Sequence, residues 1–289
     1  MTAEEKRKAF KKLVFNGDHM PVLCGAYDGI TARLAEHLGF DGCVMGGQAV
    51  AASIMGVPDI GLVTESEQIE HVHRLVQCVN LPFICDADTG YGNVLNVRRT
   101  LRDLEDAGVC GAHFEDQVTP KRCGAMGGVQ VEPVEVGIQK IETLVKYRQD
   151  PNFLIVARTD AGEVYGLDEA IRRAKLFHEA GADLVFYGGI LPSLDDVKRF
   201  VDETKAPVFF VLMECGKDVC YSVQDIEAAG VTLCAWPNGQ LMRYFKCMYD
   251  FMKHFKETGE TRCHWDDLMP IEECNKLLNI VDWNPPGMF

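Results

Sequence analysis

The chain has 289 residues, 47% apolar and 25% charged, which is the balance of a globular protein able to bury a sizeable core. Its formal net charge of −14 excludes nucleic acid and anionic membrane surfaces as partners, because both reward basic patches; an anionic small molecule in a locally basic cleft stays compatible. The N-terminus, MTAEEKRKAFKKLVF, is charged and amphipathic rather than a signal peptide, and no apolar run reaches the ~18 residues that span a bilayer.

Along the chain one pattern recurs: a helix-like segment ends at a glycine and a short apolar run follows, as in HLGFDGCVMGG, DAGVCGAHFED, EAGADLVFYGG and AAGVTLCAWPN. A glycine after the last helical turn supplies a left-handed cap, and a short unbroken apolar run is what a parallel strand buried on both faces looks like. Eight strands are predicted, near Val22–Asp28, Gly42–Gly46, Phe83–Asp88, Gly111–Asp116, Phe153–Asp160, Leu184–Gly189, Val208–Met213 and Thr232–Pro237. Between them, Thr64-Glu65-Ser66-Glu67 reads as a capping box ahead of an apolar stripe of Ile69, Val72, Leu75, Val76 and Val79. Leu167, Ala170, Ile171, Ala174, Phe177 and Ala180 form a second stripe that stops at Gly181. Eight strands without an early G-x-G-x-x-G loop point to a closed (β/α)8 TIM barrel, one α/β domain over 1–289. Helices are also predicted over Leu241 to Phe255 and Pro270 to Ile280, so 241–289 is a helical extension beyond what a bare barrel needs.

A barrel places its active site at the C-terminal ends of its strands, and here those ends are acidic: Asp28, Asp86 and Asp88, Glu115 and Asp116, and Asp160 after Arg158. Asp86 and Asp88, two apart, would share one side of an extended strand. Carboxylates crowded in this way either are solvated loop acids or are neutralised by a hard dication such as Mg²⁺. Arg158 is either a bidentate anchor for a substrate carboxylate or the partner of a barrel acid. His71 and His73 fall on a helix surface, and His113, inside the fourth strand, reads equally as core or catalytic.

The loop after the fourth strand, GAHFEDQVTPKRCGAMGG, carries Cys123 beside Lys121 and Arg122. Adjacent cations make a low-pKa thiol, and a long polar, glycine-rich loop with no apolar neighbour suits a lid. The other eleven cysteines are expected to be buried and structural; Cys43, Cys85, Cys110 and Cys234 lie in apolar runs. No Cys-x-x-Cys pair or zinc-type histidine spacing occurs, so the expectation is a reduced, cytoplasmic protein.

Taken together, GVPDIGLVT, CDADTGYGN, HFEDQ, PKRCG and ARTD resemble the isocitrate lyase/phosphoenolpyruvate mutase superfamily, most closely its 2-methylisocitrate lyase branch, over nearly the whole chain. The resemblance implies a Mg²⁺-dependent oxo-acid lyase, with Mn²⁺ as the alternative ion, and homotetramers built from dimers that exchange a C-terminal helix. It implies metal-side acids at Asp86 and Asp88, with Asp59 and Glu115 acting through water. Gly46, Gly47, Gln48, Gly124 and Arg158 would hold the 2-oxo-acid half, while Cys123, assisted by Lys121, would protonate the departing carbanion.

Departures from the pattern concern the other half of the substrate. Ala125 stands where the lyases carry His, Gly188 where they carry Glu, and Val44-Met45-Gly46-Gly47 where they carry Tyr-x-Ser-Gly. Val211 and Met213 replace the Asn and Thr expected on the seventh strand, so the pocket is expected to take a methyl where methylisocitrate presents a second carboxylate. That points to cleavage of 2,3-dimethylmalate into pyruvate and propionate. Alternatives are a 2-methylisocitrate lyase, an oxaloacetate hydrolase, a phosphonate-type relative and a non-catalytic binding barrel. The general base is unassigned, and Arg243 is a candidate near the eighth strand's end.

Overall fold

The computed structural model describes residues 1–124, 126–214 and 220–283. Eight parallel strands close into a barrel: β1 (Val22–Gly25), β2 (Gly42–Met45), β3 (Phe83–Asp86), β4 (Gly111–Glu115), β5 (Leu154–Thr159), β6 (Leu184–Tyr187), β7 (Val208–Val211) and β8 (Leu233–Trp236). Closure is made by β8 returning to β1, with Val22 opposite Cys234 and Leu23 opposite Ala235. All eight expected strands are present, and each stops one to three residues before the predicted end. The difference has a physical reason: the hydrogen-bonded ladder ends at the C-terminal rim, so Asp86 and Glu115 close their strands while Asp28, Asp88, Asp116 and Asp160 lie on the turns just beyond.

The four recurrent glycines have the conformation their position demands, with φ of 77° at Gly39, 90° at Gly108, 104° at Gly181 and 88° at Gly230. The capping box at Thr64 forms, with Thr64 N–H donating to Glu67 at 2.9 Å and Glu67 N–H donating back at 3.4 Å. Behind it Val72 and Leu75 are fully buried against the barrel wall.

Inside the barrel, Leu23, Val44, Ile84, Leu154, Val156, Leu184, Phe209 and Leu233 pack into one cluster. The N-terminal helix, Ala3–Asn16, adds Phe10 and Val14 to that cluster, and its Arg7 donates to the Val109 carbonyl at 2.7 Å. This end is sealed, which leaves the opposite rim to carry chemistry.

The predicted C-terminal helices are present as Gly239–Thr258, a 3₁₀ turn at Arg262–Asp267, Ile271–Leu277 and Ile280–Trp283. Leu241 is buried, whereas Tyr244, Phe245, Tyr249, Met252 and Phe255 of the long helix are exposed. Cys220, Cys247 and Cys263 are exposed too, and Cys274 is half-buried on an outer helix, so a structural core role is wrong for these four, whereas the half-buried Cys78 packs against the core; Cys215 lies outside the described residues. No helix among the described residues is long and apolar enough to cross a membrane.

Candidate active site

At the C-terminal rim, the β3 turn brings Asp86 and Asp88 together by a route other than strand alternation. Asp88 lies past the strand with φ of 45°, and its N–H donates to Asp86 Oδ1 at 2.9 Å. The Gly47 N–H, expected to hold substrate, donates to the other Asp86 oxygen at 2.9 Å. Lys121 Nζ enters from the β4 loop and lies 2.6 Å from Asp59 Oδ1 and 2.7 Å from Asp88 Oδ1. Burial alone would raise the Asp86 carboxyl, but His113, Lys121 and Arg158 outweigh it and hold it below the usual carboxylate range. His113 itself is pushed down to about 4 by burial, so at neutral pH the ring is uncharged and the two cations keep Asp86 ionised.

Arg158 grips Asp160 bidentately, at 2.9 Å from Nε and 2.8 Å from Nη2, and its Nη1 lies 3.1 Å from Glu115 Oε2. Both readings of Arg158 therefore meet in one residue: it is an ion-pair partner, and it also lines the cavity with donors to spare. Asp116 turns away from the site and accepts from Thr159 at 2.8 Å and Arg173 at 2.9 Å. Asp28 caps the helix Gly29–His37 by accepting from Thr31 N–H at 2.7 Å. Neither acid joins the cluster.

The Cys123 loop is seated over the rim. Gln117 pins its base, accepting from Arg122 N–H at 2.9 Å and donating to the Arg122 carbonyl at 2.8 Å. Cys123 N–H donates to the Asp59 carbonyl at 3.0 Å. Gly124 is packed so closely that a Cβ there would lie 2.1 Å from the Gly188 carbonyl oxygen. The two neighbouring cations separate: Lys121 points inward onto the acids, and Arg122 is exposed with its guanidinium toward Gly127. Cys123 is half-buried, and contrary to expectation it has apolar company, lining a cavity with Val57, Pro58, Leu241 and Phe245.

Cys123, Gly124, Asp59, Asp86, Arg158, Gly46, Gly47 and Gln48 all line a single cavity, closed on another side by Val44, Phe186, Val211, Met213 and Pro237. Gly188 stands in the same lining. Arg243 does not, being exposed on the helix; the residue that β8 delivers is Asn238, whose amide donates to Gln48 Oε1 at 3.0 Å. Gln48 Oε1 in turn lies 3.9 Å from Cys123 Sγ. His113 also lines the cavity, 3.4 Å from Asp86 and edge-on to Phe186. Asn238 carried a faint signal, a polar residue directly after an apolar run; Ala125 lies outside the described residues.

The acids suit a hard dication. Glu115 is buried with neither carboxylate oxygen accepting a hydrogen bond, and Asp88 is pushed up to about 7 by burial and by Asp86 and Asp59. Burial likewise drives Glu115 well above the carboxylate range, against the pull of Arg158. Lys121 and Arg158 offset the repulsion among these oxygens only in part, and an Mg²⁺-type ion would offset the rest.

The family model described as phosphoenolpyruvate phosphomutase matches residues 10–256. The chain belongs to the phosphoenolpyruvate mutase/isocitrate lyase superfamily. Within that superfamily it is 36% identical to 2,3-dimethylmalate lyase of Eubacterium barkeri, over 90% of both chains. It is also 36% identical to a probable 2-methylisocitrate lyase of Corynebacterium glutamicum, over 96% of this chain and 91% of that one. Among solved structures it superimposes on oxaloacetate acetylhydrolase bound to 3,3-difluorooxalacetate (TM-score 0.90, 26% identity, 98% and 95% of the two chains). It likewise superimposes on 2,3-dimethylmalate lyase (0.88, 28%, 98% and 93%). A third superfamily structure, phosphonopyruvate hydrolase in complex with oxalate and Mg²⁺, matches at 0.85 and 25% identity over 98% and 97%.

Proposed function

We propose that this superfamily member is a carbon–carbon lyase that cleaves 2,3-dimethylmalate to pyruvate and propionate. The observation that carries the reading is one cavity lined both by Asp59, Asp86 and Arg158 and by Val44, Phe186, Val211 and Met213. Relatives named for 2,3-dimethylmalate and 2-methylisocitrate cleavage support the reaction class.

Asp86 and Asp88 would hold Mg²⁺, with Asp59 and Glu115 reaching it through water; Mn²⁺ has the same oxygen preference. When bound, the ion would supply positive charge next to the 2-oxygen as pyruvate forms. Arg158 would orient the carboxylate of the pyruvate half through its remaining N–H groups, and Gly46, Gly47 and Gln48 would border it. A proton passes from the 2-hydroxyl to a base, the C2–C3 bond breaks with its electron pair going to C3, the Cys123 thiol delivers a proton to that carbon, and the proton taken from the hydroxyl returns to the thiolate through solvent. Gln48, tethered to Asn238, sits beside the sulfur and would position it. The seated loop excludes water from the carbanion.

A second carboxylate on the leaving half would face Val211 and Met213 without a partner, which costs about 1.5–3 kcal/mol for each hydrogen bond to charge left unmade. A methyl group fits there without that penalty. Oxaloacetate hydrolysis is the second reading, favoured by the superposition on oxaloacetate acetylhydrolase. Pyruvate release from 2,3-dimethylmalate, followed by a coupled lactate dehydrogenase assay beside oxalate release from oxaloacetate, tests the choice.

Unpartnered apolar side chains on the helix Gly239–Thr258 and on Trp265, Ile271 and Trp283 support a homo-oligomer, with a homotetramer as the proposed state. A cytoplasmic location is proposed on the reduced-thiol composition.

A further inference from the structure

Far from the barrel rim, the C-terminal extension gathers His254, Cys263 and His264, with one ligand atom from each lying within 4.8 Å of the others. We infer that these three residues form a second metal site, one that takes a borderline-soft dication of the Zn²⁺ class.

The local chain builds the cluster. The long helix ends at Gly259, φ 76°, and the following 3₁₀ turn folds back along the last helical turn. That reversal sets Cys263 Sγ 3.2 Å from His254 Nε2 and the His264 ring 5.0 Å from the His254 ring, edge to face. A tetrahedral ion with Zn–S near 2.3 Å and Zn–N near 2.0 Å needs its ligand atoms about 3.5 Å apart. The Cys263–His254 pair is already at that spacing, and rotation of the two turn side chains brings in the third.

His264 is held ready for the role. Its Nδ1 lies 3.6 Å from the Asp267 carboxylate, which leaves Nε2 as the ring's other nitrogen, and Phe251 packs against the ring at 5.4 Å. At 3.6 Å that carboxylate is beyond hydrogen-bond reach and acts as a nearby negative charge, which favours a bound dication. On binding, the Cys263 thiol gives its proton to solvent and water fills the fourth position. Nitrogen and thiolate ligands separate this site from the all-oxygen acids at the rim, so the two select different ions. All ligands lie within eleven residues of sequence, and the cluster therefore stays intact wherever the extension docks. Its physical effect is a staple between the end of the long helix and the turn that follows.

The test uses the full chain, stripped with chelator, returned to excess Mg²⁺ and titrated with Co²⁺. One equivalent should produce a thiolate-to-cobalt charge-transfer band that Zn²⁺ displaces, that Cys263→Ser abolishes and that Cys123→Ser retains. His254→Gln should weaken Zn²⁺ about 10-fold or more, since losing a ligand costs at least as much as losing a partner behind one. Circular dichroism checks folding of each variant, and His264→Gln, expected to weaken Co²⁺ by a comparable factor, serves if Cys263→Ser misfolds. A band that persists in Cys263→Ser, vanishes in Cys123→Ser, or never forms overturns the site.

Discussion

Lys121 Nζ lies 2.7 Å from Asp88 Oδ1, and Lys121 is 3% exposed, so the ammonium is a buried cation set among acids. Burial disfavours its charge, yet Asp88, Asp86, Glu115 and Asp59 together hold it firmly protonated. Breaking a buried pair by removing one partner typically costs about 3–5 kcal/mol. Lys121→Met should therefore lower the urea midpoint strongly in chelator, and Mg²⁺ should restore more stability to the variant than to the parent. An unchanged midpoint would show that the lysine is dispensable to the acid cluster.

Gly124 packs where a Cβ would lie 2.1 Å from the Gly188 carbonyl. Gly124→Ala should lift the Cys123 loop off the rim while leaving the barrel intact. Misplacement of a reacting group by about 1 Å costs on the order of 10²-fold in rate. Steady-state kinetics should show that drop in kcat with the thermal midpoint nearly unmoved; equal losses in both would indicate a folding defect.

Val211 and Met213 are the proposed specificity wall. Val211→Asn with Met213→Thr should move the ratio of kcat/KM values toward 2-methylisocitrate by roughly 10–100-fold, the equivalent of one charged hydrogen bond gained. Kinetics on both substrates read it out, and no change in the ratio would remove these residues from substrate choice.

His19 gives a pH test away from the site. Asp41, at 3.0 Å from Nε2, and then Asp18, at 2.8 Å from Nδ1, raise its imidazole from 6.5 to about 9. A raised folded-state value means that the stabilisation is fully present below about 6.5, the unfolded value, and is lost as pH rises through about 9. An NMR titration should place the midpoint well above 6.5, and Asp41→Asn should return it toward that value. A wild-type midpoint near 6.5 would contradict the paired geometry.

What could be read beforehand was whatever is encoded locally. The glycines at 39, 108, 181 and 230 announce helix ends because no other residue takes positive φ so cheaply, and short apolar runs announce buried parallel strands. Acids at strand ends are likewise local, so Asp86, Asp88 and Glu115 were visible. Their partners were not. Lys121 and Arg122 are adjacent in sequence, but the loop turns one inward and the other to solvent. Asp28 looked like its fellow acids, and a threonine three residues on made it a cap. Asn238 and His113 reach the cavity because the barrel closes, a long-range event that no short window contains. Cys123 gains apolar neighbours from Leu241 and Phe245, more than a hundred residues away.

Chemistry at Cys123 separates catalysis from binding. Cys123→Ser, a weaker acid at nearly the same volume, should lose carbon–carbon cleavage by on the order of 10²-fold or more and still bind pyruvate with Mg²⁺. Calorimetry on pyruvate beside the turnover assay distinguishes the two, and unchanged turnover would take the thiol out of the reaction.

The most direct measurement is the ratio of kcat/KM for pyruvate release from 2,3-dimethylmalate and from 2-methylisocitrate, taken on one preparation of the wild-type enzyme with Mg²⁺. An apolar wall of Val211 and Met213 should favour 2,3-dimethylmalate by at least about 10-fold, the cost of one unmade hydrogen bond to charge. A preference for 2-methylisocitrate, or turnover of oxaloacetate alone, would contradict it.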